Sequence, residues 1–471
     1  MRYLPLIFTL ALSGCSLTPP LVKPEAPVPA VFPMAPQEHG SIQAADIGWR
    51  TMFTDVRLQR LIEIALENNR DLRLAALNVE AVQAQYRIQR AAQLPGIDAS
   101  AQATRQRTAT NGLGAPSQSP PVAGQVSAGV GLSAFEIDLF GRMRSLSEGA
   151  LARYLASEEG RSAAQIALVG AVADAYLAER LAQEHHGLVK RTLADWQQSL
   201  DLARILRQAQ QSNGLEVAQA EGQVATAVAD LEARARALAL AQNALRLLVG
   251  ADLPDDLPQG LPLGSQPVLT TLPAGLPSDL LTRRPDIRQA EQTMVAANAD
   301  IGAARAAFFP RISLTASLGY ASPSMSGLFG GQSRVWSFSP QIVQPLFQGG
   351  RLRAELRLAE VRKSSAVAEY ERTIQTAFRE VADGLAGQQT FDHQIAAQLR
   401  VVDSAQRRAE LSHLRYRAGV EGRLELLDAQ RQLYAAQQTL LNLRRDAFAS
   451  SIGLYKALGG GLVEKAAAAG S

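Results

Sequence analysis

The sequence predicts a mixed α/β membrane protein built by tandem duplication, in which strands pooled from more than one chain are continued by very long helices. Three observations carry this. First, the stretch from about Leu58 to Gly250 returns from about Pro273 to Gly459 with the same order of signals. A shift of about 209 positions lays Gly141-Arg142 on Gly350-Arg351, Val172-Ala173-Asp174 on Val381-Ala382-Asp383, and Leu215-Glu216 on Leu424-Glu425. Second, proline is absent from Val122 to Leu253 and from Leu346 to the C-terminus. A proline inside a helix costs about 3 kcal/mol, so this silence suits continuous helix. Third, short segments ahead of each silent stretch alternate apolar with polar residues, the period of a strand. A unit this long is no solenoid repeat, and two copies point to one symmetric object.

The N-terminal residues come first. Arg2 precedes an apolar run from Leu4 to Leu12, too short to span a bilayer, which ends in Leu12-Ser13-Gly14-Cys15. This resembles the lipobox of bacterial lipoproteins, with residues 1–14 as signal peptide and Cys15 carrying diacylglycerol and an N-acyl chain. Ser16 follows, where an aspartate would resemble the inner-membrane retention signal, so the outer membrane is expected. Residues 15–57 are rich in Pro, Val and Ala over their first half and read as an extended tether. Cys15 is the sole cysteine, which excludes a disulfide framework. The net charge of +3 and the lack of a basic run give no reason to expect nucleic acid.

The first copy, 58–250, opens with helical spacing over Leu58 to about Gln93, stopped by Leu94-Pro95-Gly96. Strands follow at about 97–110 and 125–138, around a Gly/Pro/Ser-rich loop. A helical stretch then runs from about Gly141 to Gln211 and returns from Leu215 to Leu248. After a linker over 251–272, the second copy, 273–459, repeats the plan. Its strands lie at about 311–322 and 333–347, and its helices at about 351–418 and 424–458. A tail covers 460–471. About seventy helical residues reach on the order of 100 Å, more than a compact domain needs. The turns Ser212-Asn213-Gly214 and Gly419-Val420-Glu421-Gly422 carry the Asn and Gly that helix ends use for left-handed backbone.

Strands of this pattern suit a membrane barrel, apolar toward lipid and polar toward water. An unpaired sheet edge in lipid costs several kcal/mol per group, and four strands are too few to close, so several chains must pool them. Phe308, Phe309 and Phe347 flank the strands where an interfacial girdle would lie.

A lipobox with two helix-hairpin-helix copies, Leu346-Phe347-Gln348-Gly349-Gly350, Tyr416-Arg417-Ala418-Gly419-Val420, Leu426-Leu427-Asp428-Ala429-Gln430-Arg431 and Leu454-Tyr455-Lys456-Ala457-Leu458-Gly459 together resemble the TolC family of outer membrane factors. Within it, the chain is most similar to lipoprotein efflux channels of OprM or NodT type. The resemblance implies a homotrimer, with a twelve-stranded outer-membrane barrel continued by an α-helical barrel through the periplasm. It implies passive conduction of drugs or other small molecules within a tripartite efflux system. The partners would be a periplasmic membrane-fusion adaptor, an inner-membrane transporter of the resistance-nodulation-division type, and outer-membrane lipid. A non-channel coiled-coil lipoprotein or adaptor, and the exit duct of type I protein secretion, are the alternatives.

No catalytic set, metal site or cofactor is expected, apart from the lipid. His39, His185, His186, His393 and His413 are scattered, and adjacent histidines on a helix point apart. Leu424, Asp428 and Arg431 fall at i, i+4 and i+7 on one helix face. Facing the axis of a symmetric tunnel, such residues repeat around it. In the family, the matching leucine and aspartate line the periplasmic constriction and the matching arginine ties neighbouring helices shut, so these three form the expected gate. Gln219 and Gly222 replace the aspartate and arginine in the first copy. The tip turns, Ser212 to Gly214 and Gly419 to Gly422, are the expected adaptor-docking surface.

Overall fold

The computed structural model of the protein describes residues 16–33, 46–107, 122–273, 275 and 277–464. Cys15, the signal peptide, positions 108–110 of the first expected strand and the end of the tail lie outside the described residues. The elements, in chain order, are α1 (Val56–Asn68), α2 (Arg70–Ala91), β1 (Ile97–Arg107), β2 (Val122–Ile137), α3 (Arg142–Gln208) and α4 (Gly214–Val249) for the first copy. The second copy gives α5 (Pro277–Arg283), α6 (Pro285–Ala306), β3 (Arg311–Ser322), β4 (Arg334–Val343), α7 (Arg351–Arg417) and α8 (Arg423–Ala457). The chain divides into two compact units, one drawn from Met1–Pro24, Val79–Ser157 and Ala290–Tyr370, the other from Glu25–Asn78, Glu158–Gln289 and Glu371–Ser471.

The first unit holds a four-stranded antiparallel sheet in the order β1-β2-β3-β4. Its register puts Ala101, Ala128, Tyr320 and Arg334 in one row, and Ala99, Val130, Leu318 and Trp336 in the next of the same face. That face is apolar over most of its length. Gln102, Ser127, Ser317 and Ser337 occupy the other, where the Ser317 and Ser337 hydroxyls lie 2.7 Å apart. Most residues of both faces are exposed or half-exposed among the described residues, and Trp336 is 76% exposed. The outer edges of β1 and β4 have no strand partner among the described residues. A bulge between Leu132 and Phe135 bends β2, with Ala134 at φ 51° and its N–H donating to Thr315 Oγ1 at 3.2 Å. The strand expected over 333–347 ends at Val343. Pro345 has no N–H to give the ladder, and the Gln344 side chain turns back to donate to the Phe308 carbonyl at 3.0 Å.

The N-terminal segment, expected as an extended tether, is docked on the helices beside it. Asn298 Nδ2 donates to the Pro19 carbonyl at 2.8 Å, the Thr18 and Ser145 hydroxyls meet at 3.1 Å, and Lys23 pairs with Glu291. The glycine at 302 makes this possible, since a Cβ there would lie 2.1 Å from Thr18 Oγ1 and 2.9 Å from Thr18 Cα. The composition that suggests a tether is also that of an extended strap whose backbone is satisfied by side chains. Gly302→Leu should therefore lift the strap and speed cleavage after the exposed Glu25 by a glutamate-specific endoproteinase severalfold, with secondary structure retained. Cleavage at the native rate would show that the docking contributes nothing.

In the second unit, the helix expected over 58–93 is broken at Asn69, whose backbone is extended (φ −62°, ψ 130°). The Asn69 carbonyl oxygen of the side chain accepts from Leu72 N at 2.9 Å, capping α2, and its amide donates to the Leu248 carbonyl at 2.8 Å. Asp55 caps α1 by accepting from Arg57 N at 2.8 Å, and it also accepts the Tyr176 hydroxyl at 2.6 Å. Burial and that carboxylate push the Tyr176 phenol well above its ordinary range. The apolar face of α1, including Leu58, Leu61 and Ile62, is fully buried. Phe32 stacks on Phe378 at 5.0 Å, so the strap is seated in this unit too. The start of the expected tail is also fixed, because Trp49 N donates to the Val463 carbonyl at 3.0 Å.

The duplication is expressed with close fidelity. Helices α3 and α7 each contain 67 residues, and Gly250 and its repeat partner Gly459 both adopt positive φ, 74° and 86°. Among the described residues no helix is long and apolar enough to cross a membrane.

One charged pair in this unit is half-buried. Asp174 on α3 faces Lys456 of α8 at 3.7 Å, and its Oδ1 is buried without a hydrogen-bond partner among the described residues. Burial raises its pKa above the ordinary carboxylate range, against the lowering influence of Lys456. A raised carboxylate pKa means that the folded state holds this proton more tightly, so stability is lost as pH rises through the folded value. Asp174→Asn should therefore raise the melting temperature at neutral pH, and the gain should shrink as pH falls toward the ordinary carboxylate range. An equal gain at both ends of a pH series of thermal melts would exclude this origin.

Candidate functional site

The turns that join α3 to α4 and α7 to α8 both belong to the second unit, and they are built alike. Gln210 takes positive φ (58°), as does its repeat partner Gly419 (72°). Each is followed by a residue whose N–H reaches back five positions, Gln211 to the Leu206 carbonyl at 2.8 Å and Val420 to the Arg415 carbonyl at 3.1 Å. The expectation of left-handed backbone within Ser212-Asn213-Gly214 is corrected. Asn213 is extended and caps α4, accepting from Glu216 N at 3.0 Å, and Gly214 is already helical. A glutamine in the left-handed position gives no turn signal, so the sequence could not reveal it.

A polar network joins the two turns. Ser212 Oγ donates to Glu216 Oε2 at 2.8 Å, and the Tyr416 hydroxyl approaches the same oxygen at 3.4 Å. Arg423, the first residue of α8, reaches the Tyr416 hydroxyl at 3.4 Å and Ser199 Oγ on α3 at 3.2 Å, with its guanidinium 5.6 Å from the Tyr416 ring centre. Arg423 is 2% exposed and its Nε has no partner among the described residues. Among the described residues no carboxylate forms a direct ion pair with it, an arrangement that is costly unless the surrounding packing is kept. Glu421 lies 3.3 Å from Arg415 Nε, while Val420 is exposed. Arg423 and Ser199 were not singled out from sequence, and Glu216 and Tyr416 entered only through the repeat and the family motif. Their partners are up to 224 residues apart, beyond any local pattern.

Leu424, Asp428 and Arg431 share one face of α8. Leu424 is 61% exposed. Asp428 Oδ2 accepts from Arg408 Nη2 on α7 at 2.9 Å and from Gln432 Nε2 at 3.0 Å, whereas Arg431 stands 3.7 Å from Oδ1. Arg408 also lies 3.5 Å from Glu425. Within the chain, therefore, Arg408 engages Asp428 more closely than Arg431 does. Arg431 keeps most of its guanidinium in solvent, available to a group outside the chain. The antiparallel pairing of α7 and α8 supplies Arg408, and no spacing rule within α8 points to it.

Behind the tips a cleft of 690 Å³ lies between α3, α7 and α8, with Trp196, His413, Arg417 and Tyr434 among its walls. Trp196 meets Tyr434 edge to face at 5.9 Å. Among the described residues no group of three or more His, Cys, Asp or Glu side chains comes together in a metal-binding arrangement. His185 is buried, Nε2 lies 2.9 Å from Asn442 Oδ1, and desolvation lowers its pKa. It is a buried side chain that links α3 to α8.

Comparison with known proteins is extensive. The family model described as "Outer membrane efflux protein" matches residues 61–251 and 276–460, one match for each copy. The chain is 46% identical over 458 residues to the probable efflux pump outer membrane protein TtgC of Pseudomonas putida, covering 96% of this chain and 94% of that protein. It is 44% identical over 459 residues to outer membrane protein OprJ of Pseudomonas aeruginosa, covering 97% and 95%. Among solved structures, the open state of the Neisseria gonorrhoeae MtrE outer membrane channel aligns with a TM-score of 0.87 at 39% identity, covering 96% of this chain and 100% of that one.

Proposed function

The chain belongs to the outer membrane efflux protein family, and from that premise we propose that it is the exit duct of a tripartite efflux system, passing drugs or other small molecules outward without chemistry of its own. One observation carries the reading. A sheet with an apolar and a polar face, both largely exposed, and with two edges unpartnered among the described residues is joined to two pairs of very long helices. Such a sheet is stable in lipid only when closed, because each unpaired backbone group there costs several kcal/mol. Three copies closing edge to edge give twelve strands, and the polar face, rich in Ser, Gln and Gly, then lines a water-filled bore.

Each copy of the repeat adds one hairpin of strands and one of helices, so a trimer holds six quasi-equivalent segments. Cys15 carries the lipid that holds the chain to the outer membrane. The tips, Ser212 to Gly214 and Gly419 to Gly422, receive a periplasmic adaptor, which couples the duct to an inner-membrane pump of the resistance-nodulation-division type. Leu424 and Asp428 line the closed end, and Arg431 reaches a neighbouring copy. Opening requires a partner that binds the splayed tips more tightly than the closed ones.

The test is reconstitution. Purified full-length protein in planar bilayers should give discrete, ohmic conductance steps, and expression in an efflux-deficient host should restore antibiotic resistance. A stable membrane-inserted oligomer that never conducts would favour a non-channel lipoprotein instead.

A further inference from the structure

At the far ends of the strands, three arginines stand on the apolar face of the sheet. Arg105 and Arg107 continue the alternation of Ile97, Ala99, Ala101 and Ala103 on β1, and Arg334 shares the row of Ala101, Ala128 and Tyr320. All three are exposed. They also stand at one level, counted from the ends that join the helices: Arg105 is eight residues beyond Ile97, Arg107 ten beyond, and Arg334 nine before Val343. At about 3.3 Å per residue and a tilt of roughly 40°, nine residues rise about 23 Å, close to the height of the apolar band of a membrane barrel.

Nothing nearby neutralises them. No Asp or Glu occurs between positions 99 and 135 or between 312 and 354, so the upper part of both hairpins carries cations alone. Aromatic residues accompany them at the same level. Phe329 folds edge to face on Tyr320, ring centres 5.6 Å apart, and is itself 73% exposed beside Met325 at 70%. The loop is held in that position, because Ser333 Oγ donates to the Gly327 carbonyl at 2.7 Å and Ala321 N to the Ser333 carbonyl at 2.8 Å, with Leu328 buried beneath.

We propose that Arg105, Arg107 and Arg334 form a belt that binds the phosphates of an anionic lipid in the outer leaflet, whose acyl chains lie on the apolar face below. The inference rests on the barrel reading above, since it needs that face to meet lipid. In a closed barrel, β4 of one copy lies beside β1 of the next, so Arg334 comes next to Arg105 and Arg107 of the adjoining copy. Guanidinium suits this role, because its fork of donors matches phosphate oxygens in pairs and stays charged at any relevant pH. The loop with Phe329 and Met325 extends the apolar surface past the strand ends and sits among the acyl chains and the headgroup boundary.

The experiment uses the purified full-length oligomer in detergent, titrated with bisphosphorylated lipid A and followed by native mass spectrometry. The native protein should hold the lipid through detergent exchange, and the variant carrying R105Q, R107Q and R334Q should bind it at least tenfold more weakly with its oligomer intact. Lipid A stripped of phosphate should bind the native protein as weakly as phosphorylated lipid A binds the variant. Equal binding by both proteins, or binding indifferent to lipid phosphates, would overturn the proposal. Displacement by millimolar inorganic phosphate would also overturn it, as a free-anion site. A separate arm tests the premise. In brominated phospholipid, Trp336 should supply a quenched component that W336F removes. Quenching with unchanged lipid binding sinks the belt alone, whereas no quenching sinks the lipid-facing reading of the sheet.

Discussion

Replacing Leu424 and Asp428 together by alanine should raise single-channel conductance severalfold and make cells leak hydrophilic antibiotics inward. The argument is one of symmetry and environment. Leu424 is mostly exposed on its own chain and has little packing to lose there, while Asp428 is only partly screened by Arg408 and Gln432. If three copies face one axis, the double change removes three apolar plugs and three carboxylates at once. Arg408→Gln should act in the same direction more weakly, since it frees Asp428 without deleting it. It also releases Glu425, which lies 3.5 Å from the same guanidinium. Planar-bilayer recordings of the two variants decide this, and native-like conductance in the double variant would place the constriction elsewhere.

Gly250→Ala should destabilise the folded chain by on the order of 3 kcal/mol, the sum of a left-handed backbone penalty of about 1–2 kcal/mol and an overpacking cost of similar size. Gly250 sits at φ 74°, and a Cβ there would lie 2.6 Å from the Asn68 carbonyl oxygen and 3.0 Å from its carbon. Both are backbone atoms of the helix end that α4 packs against, so no side-chain rotation relieves the contact. Gly214→Ala is the matched control. Nothing lies within 4 Å of its Cβ position and its backbone is helical, so it should be neutral or slightly stabilising. Melts of the two variants that coincide would refute the account of Gly250.

Much of the architecture was legible because its determinants are local. Proline silence and three-to-four spacing mark helices of any length, and alternation marks strands without reference to what covers them. The repeat added a check, since Gly141 with Gly350 and Gly250 with Gly459 recur at one spacing and all four take positive φ. Less was legible where a polar side chain does backbone work. Asn69 breaks a helix whose apolar spacing runs on past it, and Asn213 caps a helix where it resembled a turn residue. The candidate gate shows the same division. Spacing alone placed Leu424, Asp428 and Arg431 on one face, but Arg408 enters from an antiparallel helix. Arg423 draws its partners from Ser199 and Tyr416, which only the folded chain brings close.

The docked strap bears on how the molecule sits in its membrane. Thr18 is pinned against Ser145, and the chain can span at most about 11 Å between it and Cys15. A lipid carried on Cys15 would therefore hang on a leash too short to wander. It would hold the helix-joined end of the sheet at one draught below the inner-leaflet headgroups, much as a mooring line of fixed length sets the waterline of a float.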